Sequence, residues 1–171
     1  MRDLLFGITA LSLLFGCSAK DEDQFLKTYE KNKAYHIELQ KTEKTTLKEG
    51  RSTKALLTAT YLFRETEDLN DTRDEKFIVG LYLDDDEGSF ESGDYNLTLN
   101  AQSPKSVKAL AQNDIRLKKI SLASEWTQFY LFTFPHTNSK SFKLIFESKV
   151  YGKGELHFAK VPKYVLTKTP F

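Results

Sequence analysis

Sulfur is nearly absent from this chain: its 171 residues include one cysteine and one methionine. A single thiol excludes an internal disulfide framework and every multi-thiolate metal or iron–sulfur site within the chain. Proline (4) and glycine (8) are also scarce, which argues against collagen-like and low-complexity character. An excess of charge of either sign is missing as well, because 25 Lys and Arg face 24 Asp and Glu for a formal net charge of +1. That balance is neither the basic footprint of a nucleic-acid binder nor the acidic excess of a solvating tail, so no nucleic-acid partner is expected. Aromatic residues, in contrast, are plentiful: 13 Phe, 8 Tyr and 1 Trp within a composition that is 40% hydrophobic. The length fits one domain that buries roughly two-thirds of its unfolded surface.

At the amino end, Met1, Arg2 and Asp3 precede an uncharged, mainly apolar run from Leu4 to Phe15, followed by Gly16 and the sole cysteine, Cys17. The run is shorter than the ~18–20 apolar residues that cross a bilayer as a helix. It fits the apolar region of about 7–15 residues in a secretory signal, with the small Gly16 where a peptidase would cut. Leu14-Phe15-Gly16-Cys17 resembles the lipobox of bacterial lipoproteins, although Phe15 is bulkier than the residue usual at its place. The resemblance implies cleavage between Gly16 and Cys17, a diacylglyceryl thioether on Cys17 and commonly a third acyl chain on the new amino group. No cofactor beyond this covalent lipid is expected. Each buried methylene contributes about 0.8 kcal/mol, so several chains anchor stably where one is marginal. Ser18 stands where the family's inner-membrane retention signal is an Asp, so the resemblance implies the outer membrane; a periplasm-facing domain is the expected orientation.

The remaining chain divides into residues 17–23, an acylated cysteine with a short tether, and residues 24–171, a β-sandwich domain. Asp23–Lys31 can form a brief helix with Phe25, Leu26 and Tyr29 on one side. From there the period changes to two. Tyr35, Ile37 and Leu39 alternate with polar residues through to Leu47, Glu49-Gly50-Arg51-Ser52 makes a turn, and Ala55, Leu57, Ala59, Tyr61 and Phe63 alternate again. Further strands are expected at Lys76–Leu83, Asp94–Leu99, Ile115–Leu122, Trp126–Phe134, Lys140–Glu147 and Glu155–Val161. Tyr151-Gly152-Lys153-Gly154 is a tight connection before the last of these, and Val107, Leu110 and Ala111 suit one helical turn. The fold class is therefore mainly β: a single antiparallel β-sandwich, Ig-like or related, with a short helix after the signal peptide.

Two strands are apolar on both faces. Phe77–Leu83 is one, and in Trp126–Phe134 the residues Phe129 and Leu131 face one way while Trp126, Tyr130, Phe132 and Phe134 face the other. Either the helix bearing Phe25, Leu26 and Tyr29, or a long loop, covers the second face, or Trp126, Tyr130, Phe132 and Phe134 form an exposed aromatic platform for a glycan or an envelope protein.

Catalytic signals are lacking. His36, His136 and His157 are far apart, and no nucleophile elbow or phosphate-binding loop is present, so an enzyme is not indicated. Asp84-Asp85-Asp86-Glu87-Gly88, with Glu91 and Asp94, is acidic enough for calcium, yet Gly88 falls where a ligand is needed, and the stretch reads as a solvated loop. Asp68-Leu69-Asn70-Asp71-Thr72 and Asp94-Tyr95-Asn96-Leu97-Thr98 each resemble the extended sequon of bacterial N-glycosylation systems, which would make Asn70 and Asn96 acceptors. The expected function is thus a membrane-anchored envelope lipoprotein acting as a non-catalytic protein-binding or scaffold module. The alternative is a carbohydrate-binding module that uses the aromatic face.

Overall fold

Eight strands follow one another along the chain of the computed structural model, which describes residues 39–64, 71–84, 88–120 and 124–160. They are β1 (Thr42–Glu49), β2 (Ser52–Tyr61), β3 (Glu75–Leu83), β4 (Tyr95–Leu99), β5 (Ser106–Leu110), β6 (Gln128–Phe134), β7 (Ser141–Ser148) and β8 (Gly152–Ala159). All pairings are antiparallel. One sheet has the order β1-β2-β3-β6-β5 and the other β4-β7-β8, giving a mainly β, two-layer, sandwich-like arrangement. The expected domain helix at Asp23–Lys31, the alternation at Tyr35 and Ile37, and residues 1–16 lie outside the described residues, while Leu39, where that alternation was expected to continue, is helical and β1 begins only at Thr42.

The period-two pattern places the core. In β2 the inward residues Ala55, Leu57, Ala59 and Tyr61 are buried, and β3 sends Phe77, Val79, Leu81 and Leu83 to the same side. Leu97 and Leu99 of β4, Leu144 and Phe146 of β7, and Leu156 and Phe158 of β8 close the core from the smaller sheet. Aromatic rings fill one end of this layer: Tyr61 stacks on Phe77 at 4.8 Å, and the Phe142 ring meets Tyr61 edge-on at 5.1 Å.

The hairpin expected around Gly50 is present, with Glu49 opposite Ser52 and Gly50 at φ +58°. At the far end of β4 the chain turns to the larger sheet through Asn100 (φ 47°) and Ala101 (φ 67°), a two-residue reversal closed by paired Leu99–Gln102 backbone hydrogen bonds of 2.9 and 2.8 Å. The sheets approach each other where β1 runs beside β8 without pairing. There Gly154 lies against Thr45, and a β-carbon at 154 would overlap that side chain.

Three further sequence expectations about elements are corrected. Val107, Leu110 and Ala111 were read as a helical turn, but Ser106–Leu110 forms β5, paired along Phe129–Thr133 of β6. Ile115–Leu122 was read as a strand, but Ile115–Lys119 is a 3-10 helix capped by the Asp114 carboxylate, which accepts from the Arg116 amide at 2.9 Å. The two errors share one cause: in a segment this short the period is ambiguous, and strand pairing or capping decides. In the third, Gly152 and Gly154 belong to β8 itself, and the turn is Lys149–Tyr151.

The second apolar face of β3 and β6 is covered from within. Ile78 and Phe129 pack with Leu110 and with Leu117 of the 3-10 helix, while Ile120, three residues further on, joins the same cluster. A loop is therefore the cover among the described residues.

Candidate functional site

The sequence-derived site residues do not come together. Gly16, Cys17 and Asn70 lie outside the described residues. Asn96 sits on β4, an edge strand, with its side chain outward and exposed, while Tyr95 and Leu97 on either side point into the core. Asp94 and Thr98 share its outward phase. The aromatic platform is corrected: Tyr130, Phe132 and Phe134 are 3%, 1% and 0% exposed, because the smaller sheet and the Phe90 ring cover that face. Phe90 meets Tyr130 at 5.1 Å and Phe132 at 4.9 Å, both edge-on. Trp126 alone of the four is at the surface, in the turn before β6 rather than within the strand.

Among the described residues, a polar constellation around Glu75 was not anticipated. Glu75, the first residue of β3, has the inward phase of Phe77 and Val79 and is 2% exposed. Three other chain segments meet at its carboxylate. Tyr61, ending β2, donates its hydroxyl hydrogen to Oε2. The Thr137 amide, beyond β6, donates to Oε1 at 3.0 Å. Lys160, just past β8, places its ammonium 2.7 Å from the same oxygen. His136 stands with Nδ1 3.5 Å from Oε1 and donates from that nitrogen to the Arg73 carbonyl at 3.0 Å.

Around this core a second layer of charge is fixed. The Arg73 guanidinium grips Asp71 with two parallel bonds of 2.7 and 2.8 Å, and also donates to the Arg64 carbonyl at 2.6 Å. Those hydrogen bonds hold the Asp71 carboxyl well below the usual range. Arg73 and Lys160 lie 5.7 and 5.9 Å from the Phe63 ring centroid. Burial, and then the hydrogen bond to Glu75, push the Tyr61 phenol far above its ordinary value near 10.

Chemically this is a clamp. Both carboxylate oxygens of Glu75 are engaged, Oε2 by Tyr61 and Oε1 by the Thr137 amide and Lys160, and the ammonium sets a positive charge against the negative one. A hollow of about 340 Å³ borders it, lined by Phe63, Arg64, Asp71 and Lys76 among others. One readable signal existed, since a carboxylate at an inward strand position demands partners.

The other candidates are dispersed. Asp84 pairs with Lys54 at 3.1 Å, and Asp85, Asp86 and Glu87 lie outside the described residues. Among the described residues no three His, Cys, Asp or Glu side chains are grouped to hold a metal ion. His157 is exposed on β8, 3.7 Å from Glu155, and His36 lies outside the described residues. A second hollow of about 340 Å³ opens on the outer face of the larger sheet, floored by Gly80 and Thr58 and rimmed by Tyr82, Leu56 and Lys44, with Ser124 and Thr127 at its end. Compared with protein-family profiles, curated proteins and solved structures, the chain matches none.

Proposed function

We propose that the chain is a lipid-anchored protein of the bacterial envelope, held by Cys17 to the outer membrane on the periplasmic side, whose β domain is a non-catalytic protein-binding or scaffold module. The observation that carries this reading is the order of an amino-terminal apolar run, Gly16 and the sole cysteine. A thioether-linked diacylglycerol with a third chain supplies enough buried methylenes for stable anchorage. The edge of the larger sheet supports the binding role. Ser106, Val107, Lys108 and Ala109 of β5 are all exposed, and Val107 and Ala109, opposite Phe132 and Tyr130, face the inner side without the smaller sheet covering them. Such an edge suits an extended segment of a partner added as a further strand.

The carbohydrate reading used Trp126, Tyr130 and Phe132, and with Tyr130 and Phe132 inside it keeps only Trp126 at the surface. Asn70 and Asn96 remain proposed acceptors of N-linked glycan. An Ig-related topology is also part of the proposal. It is supported by the sequence of β1-β2-β6-β5 against β4-β7-β8, which follows the four- and three-stranded sheets of a constant-type domain with β3 inserted. The insertion makes β2 and β6 run in the same direction, a departure from that domain.

The anchor is tested by radiolabelled palmitate incorporation in cells expressing the natural chain and Cys17→Ala. Label on the first and none on the second is expected. Equal labelling, or none on either, overturns the anchor.

A further inference from the structure

The outer face of the larger sheet is covered unevenly. Over Ile78 and Phe129 the loop bearing Leu117 closes it, but from Gly80 toward Tyr82 a hollow of about 340 Å³ stays open. Strand register assembles its lining. Lys44 of β1, Thr58 of β2 and Gly80 of β3 lie in one row, and Leu56 and Tyr82 lie opposite each other in the next. Ser124 and Thr127 stand at its end, in the turn before β6. Gly80 permits this arrangement, because a β-carbon there would press on both the Thr58 and the Thr127 side chains.

Most of the lining side chains can hydrogen-bond, and the fold leaves part of that capacity unused. Thr58 is only 9% exposed, yet its hydroxyl reaches just the Gly80 carbonyl, at 3.5 Å, the outer limit of a hydrogen bond. The hydroxyls of Ser124 and Thr127 bond one another at 2.8 Å, which uses one of their two protons and leaves the other to donate. Tyr82, half-exposed, adds an aromatic ring to this polar set. The surrounding charge selects no ion. Lys44 is on the rim, Glu125 lies in the chain between Ser124 and Thr127, and Asp84, two residues past Tyr82, is paired with Lys54 at 3.1 Å. None of the residues lining the hollow is a carboxylate that could hold a cation, and the acids around it offset Lys44 against an anion. A concave site that joins a ring face to hydroxyl groups without net charge matches a sugar, whose C–H face packs on an arene while its hydroxyls donate and accept.

We propose that this hollow is a binding site for an uncharged saccharide, with the Tyr82 ring against one sugar face and Thr58, Ser124 and Thr127 bonded to its hydroxyl groups. The site lies on the outer face of the larger sheet, away from the interior aromatic residues of β6, and it is distinct from the free edge of β5.

The test records amide correlation spectra of the full-length protein during titration with diacetylchitobiose, maltotriose, mannotriose and glucuronate, each to about 20 mM. The amides of Gly80, Tyr82 and Thr127 should move together with at least one of the neutral sugars. Tyr82→Ala and Thr58→Val, with unchanged circular dichroism, should each weaken that binding by about fivefold. Spectra unmoved by all three neutral sugars overturn the proposal. So does a shift that survives both substitutions at full strength, or one produced by glucuronate alone, which would make the hollow an anion site held by Lys44. The measurement needs neither a lipid on Cys17 nor a partner on β5, so its outcome is independent of the anchor and scaffold readings.

Discussion

Glu75 ties its strand to the end of β2 and to the segments beyond β6 and β8, and its chemistry makes two outcomes calculable. Glu75→Gln keeps the shape but leaves the Lys160 ammonium facing a neutral amide in a half-buried setting. Breaking one side of such a pair costs about 3 kcal/mol, which would appear as a lowered urea midpoint with an unchanged slope. An unaltered midpoint would show that Lys160 simply turns to solvent. Tyr61 gives the second outcome. Its proton is held more tightly in the folded chain than in the unfolded one, where a phenol titrates near about 10, so its contribution is complete below that pH and is lost as pH rises above it. Stability should therefore fall steeply with increasing alkalinity. Tyr61→Phe should flatten that slope while lowering stability at neutral pH. Some slope remains in the variant, because burial raises Tyr130 too. Little of this was legible beforehand, since the partners of Glu75 are 14 and 62 residues away along the chain, and no local pattern encodes such a meeting.

At the scale of elements, the strands with sustained alternation were readable and the short ones were not. Ala55, Leu57, Ala59 and Tyr61 set the phase of β2 over most of its length, and Gly50 marked its turn. Ser106–Leu110 and Ile115–Lys119 exchanged identities because five residues satisfy either period, and a neighbouring strand or an Asp cap settles the matter. Gly80 shows what such neighbours impose. A β-carbon there would stand 2.8 Å from Thr58 Oγ1, 2.9 Å from Thr127 Cγ2 and 3.0 Å from Phe129 Cε1. Gly80→Ala should thus destabilise by about 1–3 kcal/mol, measured by thermal unfolding, even though alanine is the better strand residue. A neutral result would mean the turn at Ser124–Thr127 yields freely.

For the whole molecule, the scarcity of sulfur has a direct consequence. Stability must come from the packed aromatic layer and the Glu75 clamp, so a strong thiol reductant should leave the unfolding midpoint unchanged, and a lowered midpoint would reveal a covalent dimer through Cys17. The aromatic residues of β6 show the limit of one-dimensional reading. Their alternation correctly separated Phe129 and Leu131 from Tyr130, Phe132 and Phe134, yet which set met water was not encoded there. By itself the sequence determined the β character, the alternation of the long strands, the Gly50 hairpin and the impossibility of an internal disulfide, since each is a property of composition or of residues close together. Only the tertiary structure decided that the aromatic face is interior, that a 3-10 helix covers the opposite side, and that Glu75, Tyr61, His136 and Lys160 share one site. Burial depends on which layer stacks on which, and that is set by contacts between residues far apart in the chain.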